Sequence, residues 1–259
     1  MLSKFPGHLA QAASDAQGSL LVVVGGDGTV NEVVNGVAGT DAEIAVLPSG
    51  TGEDFGRTHG IPDRFDDAVR TVLGGATRTI DVGRVECEGG PARFFANVGS
   101  AGMSGSVARR ANGMSKVLGG KATFFYALTR EFLAWRNTEV VVELDGGVRR
   151  EGRLHDVIVA NGNFHGGGMK LAPDASQDDG LFDVVTIGDV NKLDFLTTAP
   201  KLYSGRYLAH PKVELLRSSS VAVEAAEPLP LEVDGEPIGT TPARFEVVPG
   251  ALRLRVPAA

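Results

Sequence analysis

The hydrophobic pattern changes period twice along the chain. Leu20-Leu21-Val22-Val23-Val24 is a continuous apolar run, which predicts a strand buried on both faces, and the glycines after it end the strand. Beyond them Val30, Val33, Val34 and Val37 recur at i, i+3, i+4 and i+7, the spacing of an amphipathic helix. Leu9 to Gln17 forms a helical pattern ahead of this unit, and Ile44-Ala45-Val46-Leu47 a second buried strand behind it. Phe65, Ala68, Val69 and Val72 predict a helix over 65–73, with Asp63 as N-cap and Gly74-Gly75 as its stop. Strands alternating with helices predict parallel βαβ units, in which ligands gather beyond the carboxyl ends of the strands.

From Thr79 onward the alternation stops. Ile80 to Val85 and Arg93 to Val98 are strand patterns with no helix between them, followed by helical stretches at Gly102–Asn112 and Ala122–Trp135. The second of these is apolar around much of its surface (Phe124, Phe125, Leu128, Phe132, Leu133, Trp135), which suits a core or a lipid cleft. Strands then dominate: Glu139–Leu144, Leu154–Ala160, Phe182–Ile187, Val213–Leu216, Val221–Ala225, Leu229–Val233, Arg244–Val248 and Leu252–Val256. Asn191–Leu208 interrupts them as a helix broken at Pro200. The expected architecture is α/β plus β: a parallel-sheet α/β nucleotide-binding domain over residues 1–84, then a β-sandwich-like domain over 85–259.

Bulk properties narrow the function classes. A net charge of −7 argues against a broad nucleic-acid footprint, so an anionic substrate must be held by local groups. One cysteine, Cys87, excludes an internal disulfide and suits a reducing compartment. The N-terminal Met1-Leu2-Ser3-Lys4-Phe5-Pro6-Gly7-His8 lacks an apolar signal core, and every apolar run is too short to span a bilayer. A cytoplasmic protein is expected.

The glycine turn carries the first candidate chemistry. Gly25-Gly26-Asp27-Gly28-Thr29 joins a strand to a helix, gathering backbone N–H groups and the positive end of the helix where no Cβ keeps phosphates away. Asp27 would repel a bare phosphate, but suits one that arrives with magnesium, or a ribose hydroxyl. Continued into Val30-Asn31-Glu32, this block resembles the signature of diacylglycerol kinase-like lipid kinases. NAD kinases and phosphofructokinases share its glycine-Asp-Gly core, while the Asn-Glu that follows is typical of the lipid kinase branch.

Three further blocks extend the resemblance in the family's order. Leu47-Pro48-Ser49-Gly50-Thr51-Gly52-Glu53-Asp54-Phe55 is similar to the family's second block, which implies that Gly50, Thr51 and Asp54 contact the nucleotide. Glu53 stands where the family has asparagine; a carboxylate only accepts, so Glu53 must face solvent, meet a cation or weaken binding. Ala172-Pro173-Asp174-Ala175-Ser176-Gln177-Asp178-Asp179-Gly180-Leu181-Phe182-Asp183 resembles the block that holds magnesium. By that match the ligands are the Asp179 carboxylate and the carbonyls of Ser176 and Leu181. Asp234-Gly235-Glu236 between alternating strands is by itself a hairpin signal. The family places its catalytic base in this turn, which implies Glu236 as first choice and Asp234 as its partner or substitute.

The resemblance implies an ATP-dependent lipid kinase with ATP and Mg2+ as cofactors. Gly25, Gly26, Asp27, Gly28, Thr29, Asn31 and Glu32 would hold the nucleotide beside Gly50, Thr51 and Asp54. Its partner would be a lipid substrate, diacylglycerol-like, met peripherally at the membrane surface, and a homodimer is compatible with it. The family normally opens with a strand and an Asn-Pro-x-x-Gly loop, so this chain starts roughly one βαβ unit late; a gene start upstream of Met1 is expected. An NAD kinase-like enzyme and a catalytically impaired nucleotide- or lipid-binding paralogue remain alternatives. Other chemistries find no support. The histidines His8, His59, His155, His165 and His210 lack zinc spacing, Gly119-Gly120-Lys121-Ala122 fails the P-loop pattern, and no Gly-x-Ser-x-Gly elbow occurs.

Overall fold

The computed structural model describes residues 2–5, 7–16, 18–88, 90–114 and 120–258, without the side chains at 120–122, 124 and 125. The first lobe grows from the strand, glycine turn and helix. α1 (His8–Asp15) leads into β1 (Leu20–Gly25), α2 (Asp27–Val37), β2 (Glu43–Pro48), α3 (Asp54–Thr58) and α4 (Phe65–Gly74). β1 and β2 pair in parallel from Leu20↔Glu43 to Gly25↔Pro48. Val30, Val33, Val34 and Val37 all face the core, as their spacing requires, against Ile44, Val46 and Phe55. α1 lies close on α2 because Gly36 has no side chain: a Cβ there would run into the Ala10 carbonyl.

β1 is not buried on both faces. Val23 points into the core, but Leu20, Val22 and Val24 are 41%, 45% and 60% exposed. Among the described residues β1 pairs only with β2. An apolar run without alternation was compatible with double burial; the missing cover is a tertiary fact the run does not encode.

The second lobe begins inside β3 (Ala76–Glu88), followed by β4 (Arg93–Phe95), β5 (Val98–Gly102), α5 (Met103–Asn112) and α6 (Gly120–Ala134). Then come β6 (Thr138–Leu144), β7 (Arg149–Leu154), β8 (Asp156–Ala160), β9 (Phe164–His165), β10 (Met169–Lys170), β11 (Phe182–Ile187) and α7 (Lys192–Thr198). β12 (Val213–Ser218), β13 (Ser220–Ala225), β14 (Pro230–Val233) and β15 (Glu236–Val256) complete the chain. Strand order is β12-β11-β8-β5-β14-β15-β13-β6-β7, antiparallel at every step. Inward residues from both ends of this order share one core, including Val140 and Val142 from β6 and Phe182 and Val184 from β11, so the sheet folds over itself as a sandwich. Phe95 packs at its centre, stacked on Phe182 at 5.7 Å and edge-on to Phe245 at 6.1 Å.

β15 ties the lobes together. The two strands expected at its C-terminal end are one, paired antiparallel with β3 from Thr240↔Glu88 to Val256↔Ala76. Its last residues then run parallel to β2 through Leu254↔Ile44, carrying Ala251, Leu252 and Leu254 into the first core.

The helix expected over Asn191–Leu208 is shorter. Asn191 caps α7 with its side chain on the N–H groups of Leu193 and Asp194, and Pro200 starts two 3-10 segments instead, Ala199–Ser204 and Arg206–Ala209. α6 contributes Ala127 and Phe132 to a core with Met103 and Val107, while Phe124 and Phe125, expected on its apolar face, lie outside the described side chains. No helix among the described residues is long and apolar enough to cross a membrane.

Candidate active site

The two glycine loops of the first lobe touch backbone to backbone. Gly26 is extended and caps α2, so Asp27 is the first helical residue and the turn is tighter than the sequence suggested. Ser49 donates its N–H to the Gly25 carbonyl at 3.1 Å, and a Cβ on Gly50 would lie 2.6 Å from the Gly26 Cα. Only glycine fits there. Thr29 folds its side chain back over Gly25. Asp27 joins the loops: its Oδ1 accepts the Phe55 N–H at 2.9 Å, and its Oδ2 lies 2.7 Å from where a Gly52 Cβ would stand. A carboxylate in the first turn of a helix also meets the favourable end of its dipole.

The second block curls on itself. Glu53 adopts a left-handed conformation (φ 56°), and its Oε1 accepts the Gly50 N–H at 3.1 Å. Its charge is thus turned onto its own loop, where it occupies a backbone donor that a phosphate could otherwise use. Thr51 is exposed at the loop tip. Asp54 is buried and committed: it accepts the N–H groups of Gly167 and Gly168, both at 2.7 Å, and pairs with Arg57 at 2.7 Å. Burial raises its pKa, which the Gly167 N–H offsets in part. Asp54 therefore clasps the second lobe's Gly166-Gly167-Gly168 loop to the first lobe.

The Asp-Gly-Glu turn is the two-residue hairpin between β14 and β15, with Asp234 and Gly235 both at positive φ (49° and 86°). It reaches the first glycine loop: the Cβ position of Gly28 is 3.6 Å from Glu236 Oε1. Glu236 is exposed, and Asn112 at the end of α5 donates to its Oε2 at 3.3 Å and to the Gly235 carbonyl at 3.1 Å. Asp234 differs. Its carboxylate accepts the N–H groups of Ala96 (2.8 Å), Asn97 (2.9 Å) and Val98 (3.0 Å) and the Asn31 amide (2.9 Å). Asn31 and Asn35 also donate to the Phe94 carbonyl, stitching α2 to β4. Glu32 turns the other way and accepts the Leu9 N–H at 3.2 Å, near the start of α1.

Behind the hairpin runs a polar network whose members the sequence assigned no role. Glu232 is 1% exposed and accepts from Ser100 (2.7 Å) and the Gly235 N–H (2.7 Å), with His165 Nε2 at 3.3 Å. The Ser104 hydroxyl lies 2.6 Å from Ser100 Oγ and 2.8 Å from Asp156 Oδ1, its one proton serving either, and the Ser104 N–H donates to Asp156 at 3.0 Å. Burial opposes charge on His165, but Glu232, Asp54 and Asp234 outweigh it and push its pKa up to about 9. Burial likewise opposes the Glu232 carboxylate, and His165, Ser100 and the Gly235 N–H overcome it and hold its pKa below the usual value. Burial pushes Asp156 up to about 7 against its serine donors. Two signals in the sequence point here: a glutamate at an inward position of a strand, and a histidine among glycines just past a strand end.

The third block lies around β11 and β12. Asp179 pairs with Arg217, which also meets Asp183 at 3.1 Å. Burial, with the charges of Asp179 and Asp174, raises the pKa of Asp183 against the pull of Arg217. Among the described residues no group of three or more His, Cys, Asp or Glu side chains converges to hold a metal. An ion here would rest on one carboxylate with backbone carbonyls, the pattern expected for Asp179, Ser176 and Leu181.

A glycine-loop α/β lobe joined to a β sandwich, with an acidic hairpin brought against the loop, defines a phosphotransferase class of fold and site. Residues 3–85 match the diacylglycerol kinase catalytic domain, and residues 97–256 match the YegS C-terminal NAD kinase beta sandwich-like domain. A diacylglycerol kinase of Bacillus subtilis (strain 168) is 32% identical over 92% of this chain and 78% of its own. A probable YegS-like lipid kinase of Pseudomonas aeruginosa is 34% identical over 97% of this chain and 81% of its own. A putative diacylglycerol kinase structure from Bacillus anthracis str. Sterne shares the fold, with a TM-score of 0.76 at 23% identity over 98% of this chain and 84% of that one. The chain belongs to the diacylglycerol kinase-like lipid kinase family.

Two expectations follow from this geometry. His165 has a folded pKa of about 9 against an ordinary 6.5, so its contribution to stability is complete below 6.5 and is lost as pH rises through about 9. Thermal melts should therefore show a fall in stability between pH 7 and 9.5 that His165→Gln flattens. Glu53→Asn replaces a residue strained at positive φ by one that tolerates it, and is expected to stabilise the fold by ~1 kcal/mol in denaturant titrations.

Proposed function

We propose that the chain transfers the γ-phosphoryl group of ATP to the hydroxyl of a diacylglycerol-like lipid at the seam between its lobes. The observation that carries this reading is the approach of Glu236 to Gly28, which sets a carboxylate beside a phosphate-accepting glycine turn. The names of the relatives support the lipid as acceptor rather than a dinucleotide, so the NAD kinase reading is set aside.

In this reading Gly25, Gly26, Gly28 and Thr29, with Gly50 and Thr51, present backbone to the nucleotide. Asp27 holds the loops in register through the Phe55 N–H. Two acids face any phosphate that enters; like charges ~4 Å apart repel by about 4 kcal/mol at an effective dielectric of 20. Magnesium bound with the nucleotide supplies the charge that offsets this repulsion. A second magnesium seat at Asp179 with the Ser176 and Leu181 carbonyls fits the hard-oxygen chemistry and the surplus of carboxylates around Arg217.

Glu236 acts as the base. As the lipid oxygen bonds to the γ-phosphorus and the bond to the ADP oxygen breaks, the hydroxyl proton passes to its carboxylate. Asp234 is a poor candidate for that role because all four of its hydrogen bonds place donors on the carboxylate. It positions the turn instead, and Asn31 positions Asp234. Asp54 and Glu32 hold the loop and helix around the site. The enzyme would work from the cytoplasm, peripherally at the membrane surface.

The test is purified protein with γ-labelled ATP, magnesium and vesicles of diacylglycerol in anionic phospholipid, followed for labelled lipid. Glu236→Gln is expected to lower kcat by about 10²- to 10⁴-fold while ATP binding is retained. Asp234→Asn should instead cost ~2 kcal/mol of stability by setting an N–H₂ group against backbone donors. A labelled dinucleotide in place of labelled lipid would restore the NAD kinase reading, and ATP binding without turnover would favour a binding paralogue.

A further inference from the structure

The two oxygens of the Glu236 carboxylate have different neighbours. Oε1 lies 3.6 Å from where a Gly28 Cβ would stand, on the side of the first glycine turn. Oε2 accepts from the Asn112 side-chain amide at 3.3 Å, and the same N–H₂ group donates to the Gly235 carbonyl at 3.1 Å. One amide thus grips both the backbone of the hairpin and the outer end of the side chain that the hairpin carries. A glutamate at the surface ordinarily samples several rotamers, because little opposes its rotation.

Asn112 can grip in this way because α5 is fixed along its length. At the start of the helix Ser104 donates its N–H to buried Asp156 at 3.0 Å. At Gly105 the helix lies so close to β14 that a Cβ would stand 2.2 Å from the Pro230 carbonyl oxygen. Further along, Ser106 donates to Glu131 of α6 at 2.6 Å, and Arg110 pairs with the same carboxylate. A helix held at these points carries its last residue, Asn112, to a set place beside the hairpin. The turn is fixed from its other side: Gly235 donates its N–H to Glu232 at 2.7 Å, and Asp234 takes the donors of the β4–β5 junction. Those contacts set the backbone; Asn112 acts on the side chain beyond it.

We infer that Asn112 is a positioning residue for phosphoryl transfer: by tying Oε2 it turns Oε1 toward the glycine turn, so that Oε1 is the oxygen that takes the hydroxyl proton. The inference rests on the reading of Glu236 as the base. An amide suits the task, because it is neutral and donates: it neither takes the proton itself nor sets a charge beside an entering phosphate. An aspartate in its place would set lone pairs against Oε2 and the Gly235 carbonyl, and an alanine would leave the carboxylate without this donor. Asn112 is exposed, so its replacement acts on the reaction more than on the fold.

The test uses the whole chain in two measurements. In the labelled-lipid assay, Asn112→Ala is expected to lower kcat about 10- to 100-fold with the KM for ATP and the thermal midpoint unchanged, and Asn112→Asp to lower it at least as far. Added to Glu236→Gln, Asn112→Ala is expected to cost nothing more, since a residue that acts through Glu236 has nothing left to act on. Second, in protein labelled with carbon-13 and nitrogen-15, three-bond couplings from the Glu236 nitrogen and carbonyl carbon to its Cγ read χ1 without nucleotide or lipid. They are expected to show one rotamer in the unmutated chain and averaging in Asn112→Ala; should that variant not fold, Asn112→Asp, of the same shape, decides. Couplings that are the same with and without the amide overturn the proposal, and these alone decide if the unmutated chain shows no turnover. So does full kcat in Asn112→Ala while Glu236→Gln loses it, or losses that multiply in the double variant. Full activity in Glu236→Gln instead strikes the base reading itself, and this proposal with it.

Discussion

The carboxylate of Asp234 fixes the geometry on which the site depends. Its partners come from two places, the backbone at the β4–β5 junction and Asn31 on α2, and hold the hairpin of which it is part. Burial works against its charge and raises its pKa, with the Ala96 N–H and the Asn31 amide foremost among the groups that oppose this. A charged acceptor surrounded by oriented N–H donors is a stiff arrangement, because moving any one element strips a partner from a desolvated group. That stiffness sets the distance between Gly28 and Glu236. Asp234, second choice to Glu236 in the sequence, holds the frame, while its neighbour two residues on lies at the surface.

The same division runs through the other motifs. Residues that a signature places together do not all face one ligand. Asp27 and the glycines line the loops, whereas Asn31, Glu32 and Asp54 turn away to fasten those loops to β4, α1 and the second lobe. His165 and Glu232 add a buried ion pair that braces the hairpin from behind. Such a pair is costly to desolvate, and its retention here fits a role in fixing one arrangement more than in adding net stability.

The fold was legible where a period was strong. The valines of α2 are buried as spaced, and Asp-Gly between alternating residues forms the hairpin it signals. Short elements escaped notice: α3 spans five residues and β7 is the polar run Arg-Arg-Glu-Gly-Arg-Leu, whose alternate exposure comes from pairing and not from hydrophobicity. Glu53 illustrates what composition can raise but not resolve. Its carboxylate was unwelcome near phosphate, and the structure meets this by a left-handed backbone that turns it onto the Gly50 N–H.

β15 has a consequence for how the molecule can move. It begins at the hairpin that bears Glu236, crosses the sandwich alongside β3, and ends in the core of the glycine-loop lobe. Two lobes stitched by a shared pair of long strands are denied the free hinge that many two-lobed enzymes use to shut around their ligands. Shielding the reacting groups from water must then fall to what arrives at the seam, or to small flexing where the ladder of β15 loses register, between Thr240 and Ala243 and between Val248 and Leu252.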